Sequence, residues 1–172
     1  MQKIWKFGKN VDTDQIVPGR FAPYLRPDMN ISDAAFIEAH PEFNQNAKTG
    51  DIIVADHNFG CGSSREYAPL ALRERGIAAI ISPVFARIFY RNAVNLGIQL
   101  FESEEIASVI TQDTFGKLDL ENGVLIIDEK SYPLTSSDPL ANLLSEEGGL
   151  IAYIRKHNRF PILDEKILQE IA

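Results

Sequence analysis

Three short apolar runs separated by two amphipathic stretches constrain the fold of this chain more than any other feature. "GDIIVAD" (Gly50 to Asp56), "IAAIIS" (Ile77 to Ser82) and "IQLF" (Ile98 to Phe101) have strand length and are bounded by glycine or polar residues. Between them, "SSREYAPLALRERG" and "VFARIFYRNAVNLG" read as helices stopped by Gly76 and Gly97, with a kink or early break expected at Pro69. Strands that alternate with helices in this way build a partly parallel sheet, so the chain is read as mixed α/β. "KIWKFG" supplies a further strand at the start. "ISDAAFIEAHPEF" is expected to be a helix capped by Ser32 and ending near Pro41. Further on, "GKLDLENGVLIIDEKSYPL" reads as antiparallel strands turning at Asn122-Gly123, and "DPLANLLSEEGGLIAYIRKH" as helix broken at Gly148-Gly149. No long linker or repeat interrupts the 172 residues, which are expected to form one domain over 1–172.

One loop stands out. "NFGCGSSREYAP", Asn58 to Pro69, joins the strand before it to the helix after it. It lacks the Gly-Lys-Ser/Thr ending of a phosphate-binding loop and the Gly-x-Ser-x-Gly of a nucleophile elbow. Two readings remain open. Ser63 followed by Glu66 matches a capping box, a purely structural device. Alternatively, two glycines, two serines and Arg65 at a helix start form a site of the right size and charge for a carboxylate.

The charge balance limits the partners. A formal net charge of -7 argues against nucleic-acid binding, which needs a basic face, although a local pocket can still hold a small anion. No run is long enough to span a bilayer, and "MQKIWKFGKNVDTD" has no signal-peptide core, so a cytoplasmic setting without membrane contact is expected. The single cysteine, Cys61, excludes an internal disulfide and a multi-cysteine metal site. His40, His57 and His157 are scattered, and no metal site is expected in this chain. Arg87 and Arg91 read as a solvated helix face, and His57 as a loop residue or a donor behind the site.

"GCGSSREYAP", the following "GIAAIISPVFARIFYRNAVNLG" and the earlier "NVDTDQIVPGR" together resemble the swivel domain of the aconitase family, over roughly Val11 to Phe101. The resemblance implies a three-layer β/β/α swivelling fold with a mixed sheet. It also implies a hydro-lyase that dehydrates and rehydrates a di- or tricarboxylate through a [4Fe-4S] cluster. The chain length matches small subunits whose large subunit carries that cluster, so this chain is expected to bind none itself. Isopropylmalate is the expected substrate; homoaconitate, or a broader malate-type dehydratase, is the alternative. A carboxylate-binding module without catalysis is the rival of a different class.

The same resemblance assigns roles. Ser63 is implied as the base that takes a proton from substrate carbon, and Asp14 as a residue that orients catalytic groups. Ser64 and Arg65 are implied to hold a substrate carboxylate. Arg26, in "YLRPDMN", is implied to face the part of the substrate that differs between pathways; family members that accept an isopropyl group often carry an apolar or small residue there. From the residues alone, Asp14 also suits a turn and Arg26 a solvent-facing position. The chain after Phe101 carries no recognisable motif.

Overall fold

The computed structural model describes residues 1–134 and 138–161, so the end of the domain expected over 1–172 lies outside the described residues. Strand β1 (Gln2–Phe7) leads into a short helix α1 (Thr13–Ile16), and after several turns the chain forms α2 (Pro41–Asn46). A unit of alternating strands and helices follows: β2 (Ile52–Ala55), α3 (Tyr67–Glu74), β3 (Ala79–Ser82), α4 (Arg87–Asn95) and β4 (Leu100–Glu102). Then come α5 (Glu104–Val109), the strands β5 (Thr114–Asp119), β6 (Val124–Ile127) and β7 (Lys130–Pro133), and finally α6 (Pro139–Glu146) and α7 (Leu150–His157).

The strands make one seven-stranded mixed sheet in the order β4-β3-β2-β1-β5-β6-β7. β1 to β4 are parallel, and β5 runs antiparallel to β1 and opens an antiparallel meander. Because side chains alternate across a strand, Trp5, Phe7, Ile53, Ala55 and Ile80 point to one face and Ile4, Ile52, Val54 and Ile81 to the other. The first face is covered by α3, α4, α6 and α7 through Leu72, Phe89, Leu144 and Tyr153. The second packs against Ile106 of α5 and against Leu125, Ile127 and Tyr132 of the meander. The sheet therefore curls until β6 and β7 cover its own parallel strands, giving the β/β/α layering expected from the family. β2 and β3 are buried along their whole length, which accounts for their unbroken apolar runs.

Three expectations are corrected. "ISDAAFIEAHPEF" is not one helix capped by Ser32. Residues Ile31–Ala34 form a single 3-10 turn, and Phe36 then takes a φ of 55°, which no right-handed helix continues through. Pro41 begins α2 instead of ending a helix, as suits a residue without an N–H at a first helical position. Pro69 produces no kink, because it lies in the first turn of α3, where its missing N–H costs nothing. The stretch around Asp14, which from the residues alone suits a turn, contains the single helical turn of α1.

Candidate active site

The site is built where β1 and β2 end. These neighbours are parallel, with Phe7 opposite Ala55, so the segments leaving them emerge at the same edge of the sheet. The pairing continues past the strands: Gly60 N and Cys61 N donate to Val11 O at 2.8 and 3.1 Å, and Thr13 N donates to Cys61 O at 2.8 Å. The loop is pinned from its other side by Phe59 N on Val84 O, at 3.2 Å, and Ala86 N on Phe59 O, at 2.9 Å. "NVDTD" and "GCGSSRE" are thereby brought together across 50 residues of chain.

Two glycines make this closeness possible. A Cβ on Gly60, whose φ is 80°, would lie 2.1 Å from Cγ of the buried Phe89. On Gly62 (φ 99°) it would lie 2.5 Å from an Asp12 carboxylate oxygen. Gly60→Ala is therefore expected to destabilise the fold by about 3 kcal/mol or more, from overpacking and a left-handed backbone together. Chemical denaturation measures this, and an unchanged midpoint would show that the loop relaxes freely.

The capping box, one of the two readings open at Ser63 and Glu66, is absent: α3 starts at Tyr67, and Glu66 makes no side-chain cap bond. A capping box exists instead on α1. Asp12 accepts from the N–H groups of Asp14, at 2.7 Å, and of Gln15, while the Gln15 side chain accepts from Asp12 N at 3.0 Å. Ser63 cannot serve as a cap because its hydroxyl is engaged elsewhere. Arg65 Nε donates to Ser63 Oγ at 2.5 Å, and the Thr13 hydroxyl lies 3.1 Å from the same oxygen. Ser63 N donates in turn to Thr13 Oγ1 at 3.0 Å.

Arg65 is the hub. Beyond Ser63, one terminal nitrogen donates to Tyr67 Oη at 2.7 Å and the other lies 2.6 Å from Asp14 Oδ1. The Tyr67 hydroxyl and the Asp14 carboxylate push the guanidinium pKa further up, against the opposing effect of burial, so its charge is secure. Five N–H groups are available on a guanidinium and these contacts use three, leaving donors at the partly exposed outer edge. Ser64 is exposed, and its carbonyl accepts from Asn92 Nδ2 of α4 at 3.2 Å, so α4 holds the loop from behind.

The structure thus assembles Asp14, Ser63 and Arg65, with Ser64 beside them. Arg26 lies on an exposed turn, 3.3 Å from Asp28, whose carboxyl that arginine holds below its ordinary range. Arg87 and Arg91 are exposed on α4 as expected, and His57 is a loop residue 3.3 Å from Glu104. Sequence reasoning missed Thr13 and Tyr67. Thr13 carried a signal, its place between the two aspartates of "DTD"; Tyr67 carried none beyond adjacency to the motif.

A curled mixed sheet with a charged serine-arginine loop at the ends of its parallel strands is the framework of a swivel domain. The model of the aconitase C-terminal domain matches residues 9–104, and the chain belongs to the aconitase family. Among its relatives, the homoaconitase small subunit of Thermus thermophilus is 45% identical over 161 residues, covering 94% of this chain and 99% of that one. The 3-isopropylmalate dehydratase small subunit of Syntrophus aciditrophicus is 40% identical, covering 91% and 96%. The crystal structure of 3-isopropylmalate dehydratase from Methanocaldococcus jannaschii superposes with a TM-score of 0.79 at 34% identity, covering 99% of this chain and 96% of that one.

Proposed function

We propose that this chain, as a single swivel domain over 1–172, is the small subunit of an iron-sulfur hydro-lyase. The enzyme interconverts 2- and 3-isopropylmalate by dehydration and rehydration, a step of leucine biosynthesis. The observation that carries the reading is the Ser63 oxygen held by a charged N–H of Arg65. A serine hydroxyl titrates far above neutrality, and a fixed positive donor lowers the cost of its anionic form. Ser63 then takes a proton from substrate carbon. Ser64 and the outer edge of Arg65 take a substrate carboxylate, and Asp14 keeps the guanidinium in place.

A [4Fe-4S] cluster is held by several cysteine thiolates. This chain has one cysteine, and burial and the Asp12 carboxylate push the Cys61 thiol up, away from the thiolate a ligand requires. Among the described residues no three His, Cys, Asp or Glu side chains gather as a metal-binding group. The cluster does not fit this chain, and that donor set supports placing it on a large subunit. The residues here account for the proton half of the reaction only. No helix among the described residues is long and apolar enough to cross a membrane, and one free thiol suits a reducing cytoplasm.

The test is reconstitution. The chain alone is expected to show no turnover of 2-isopropylmalate, and addition of a cognate large subunit with its cluster intact is expected to produce it. If the reconstituted pair binds carboxylates without turnover, the chain is a binding module.

A second reading, the small subunit of a homoaconitase, is favoured by Arg26, since an arginine suits a substrate with one more carboxylate. The relative at 45% identity carries that name. Arg26→Val is expected to shift the ratio of kcat/KM toward isopropylmalate over homoaconitate by about tenfold, which corresponds to about 1.4 kcal/mol. Both substrates are measured with the same large subunit. An unaltered ratio would mean that Arg26 stays with Asp28 and does not select the substrate.

A further inference from the structure

We infer that Thr13 is the positioning residue that holds Ser63 ready as the base and sets the direction of its proton. The inference rests on the hydro-lyase reading of the site. Thr13 is only 2% exposed, although its neighbours Asp14 and Gln15 face solvent. Its oxygen accepts from Ser63 N–H, so that interaction leaves its own hydrogen to be placed. Among the described residues the one acceptor within reach of that hydrogen is Ser63 Oγ, 3.1 Å away. A buried hydroxyl proton without a partner is costly, which makes Thr13 the donor and Ser63 the acceptor. Arg65 Nε has no lone pair to offer, so it too donates to Ser63 Oγ.

The serine oxygen therefore faces two donors, and its own hydrogen takes the remaining direction, away from both. Ser63 is half-buried, so that direction can lead out of the protein, where a substrate would lie. When solvent has taken that hydrogen, both donors remain on the Ser63 alkoxide without rearrangement, so the base is held ready, and it becomes neutral again when it takes the proton from substrate carbon. Thr13 is held in turn from both sides. Its N–H is fixed on Cys61 O and α1 is capped by Asp12, so the hydroxyl is aimed by backbone and not by a flexible side chain.

Thr13→Val keeps the shape and removes the hydroxyl; Thr13→Ser keeps the hydroxyl. With the large subunit present, Thr13→Val is expected to lower kcat about 10²–10³-fold, the effect of losing one such donor, with KM unchanged. The acid limb of its pH–rate profile is expected to move to higher pH, because Ser63 loses a donor to its anionic form. Thr13→Ser is expected to restore kcat to within about tenfold of wild type. A merely structural threonine would move thermal stability without moving the pH limb. The inference is overturned by Thr13→Val with kcat within about threefold of wild type, by a loss of kcat with an unmoved limb, or by Thr13→Ser as damaged as Thr13→Val. Should Thr13→Val not fold, the serine variant still decides: an activity as low as that of a Ser63→Ala complex would overturn it. A wild-type complex with no turnover would sink the hydro-lyase reading too, whereas an active wild type beside an unaffected Thr13→Val removes Thr13 alone.

Discussion

Ser63→Ala is expected to abolish turnover in the reconstituted enzyme, by roughly 10³-fold or more, while leaving the subunit folded and assembled. The two halves of this expectation come from different contacts. On the proposed reading, catalysis loses the oxygen that takes the proton from substrate carbon. Stability loses a hydroxyl that bridges Thr13 and Arg65 but caps no helix, worth about 1 kcal/mol. Arg65 retains Asp14 and Tyr67, so the guanidinium is not set adrift. Steady-state kinetics and thermal melting of the same preparation separate these effects. Near-normal turnover would make Ser63 a tether between two loops and nothing more.

Arg65→Lys is expected to be nearly as damaging, with kcat/KM reduced about 10³-fold. Three directions are served at once by the planar guanidinium: Ser63, Asp14 and the Tyr67 hydroxyl. A lysine brings the same charge on a point donor at the end of a flexible stem, and cannot reach all three while presenting a fork to a carboxylate. Removing one preorganised donor from a developing anion alone costs about 10²–10³ in rate, and the lost carboxylate contact adds to it. Both kcat and KM should change, in contrast to the Thr13 variants. A lysine variant within about tenfold of wild type would show that charge suffices and geometry does not matter.

Much of the architecture was legible because it follows from local rules. The buried runs of β2 and β3, the amphipathic helices between them and the turn at Asn122-Gly123 were each readable from a few residues. What escaped reading depended on partners distant in sequence or on quieter signals. α5 is only six residues long, too short for a periodic signal, although Ser103 caps it by accepting from Ile106 N and two glutamates occupy its first turn. The segment after Asn30 has helical spacing, yet tertiary packing turns it at Phe36, whose ring stacks 4.4 Å from that of Phe7. For the site, the loop and its Ser63 and Arg65 were found from composition and resemblance. The serine's true partner could not be: Ser63 matches a capping box with Glu66, and only the pairing of β1 with β2 shows that its hydroxyl belongs to Thr13. The second turn of the meander, where Asp128 and Glu129 take φ values of 47° and 66°, also lacks the glycine that would have announced it.

The alignment of β1 against β2 has a consequence for how errors are detected. Ile4 sits opposite Ile52 and Phe7 opposite Ala55, and beyond the strands, one residue out of that register, an isolated bridge joins Asp12 with Cys61. A slip of one residue along this pair would turn Trp5 and Phe7 out of the helix-side core and put Lys6 in their place. It would also pull on residues 8–11, which link β1 to Thr13 and Asp14. A slip in the strands that lead to the candidate site is therefore a slip in the oily interior as well, where the energetic cost is large. The register at the candidate site is thereby tied to the packing of Trp5 and Phe7 in the buried core, so a molecule stable enough to persist keeps Thr13 beside Ser63.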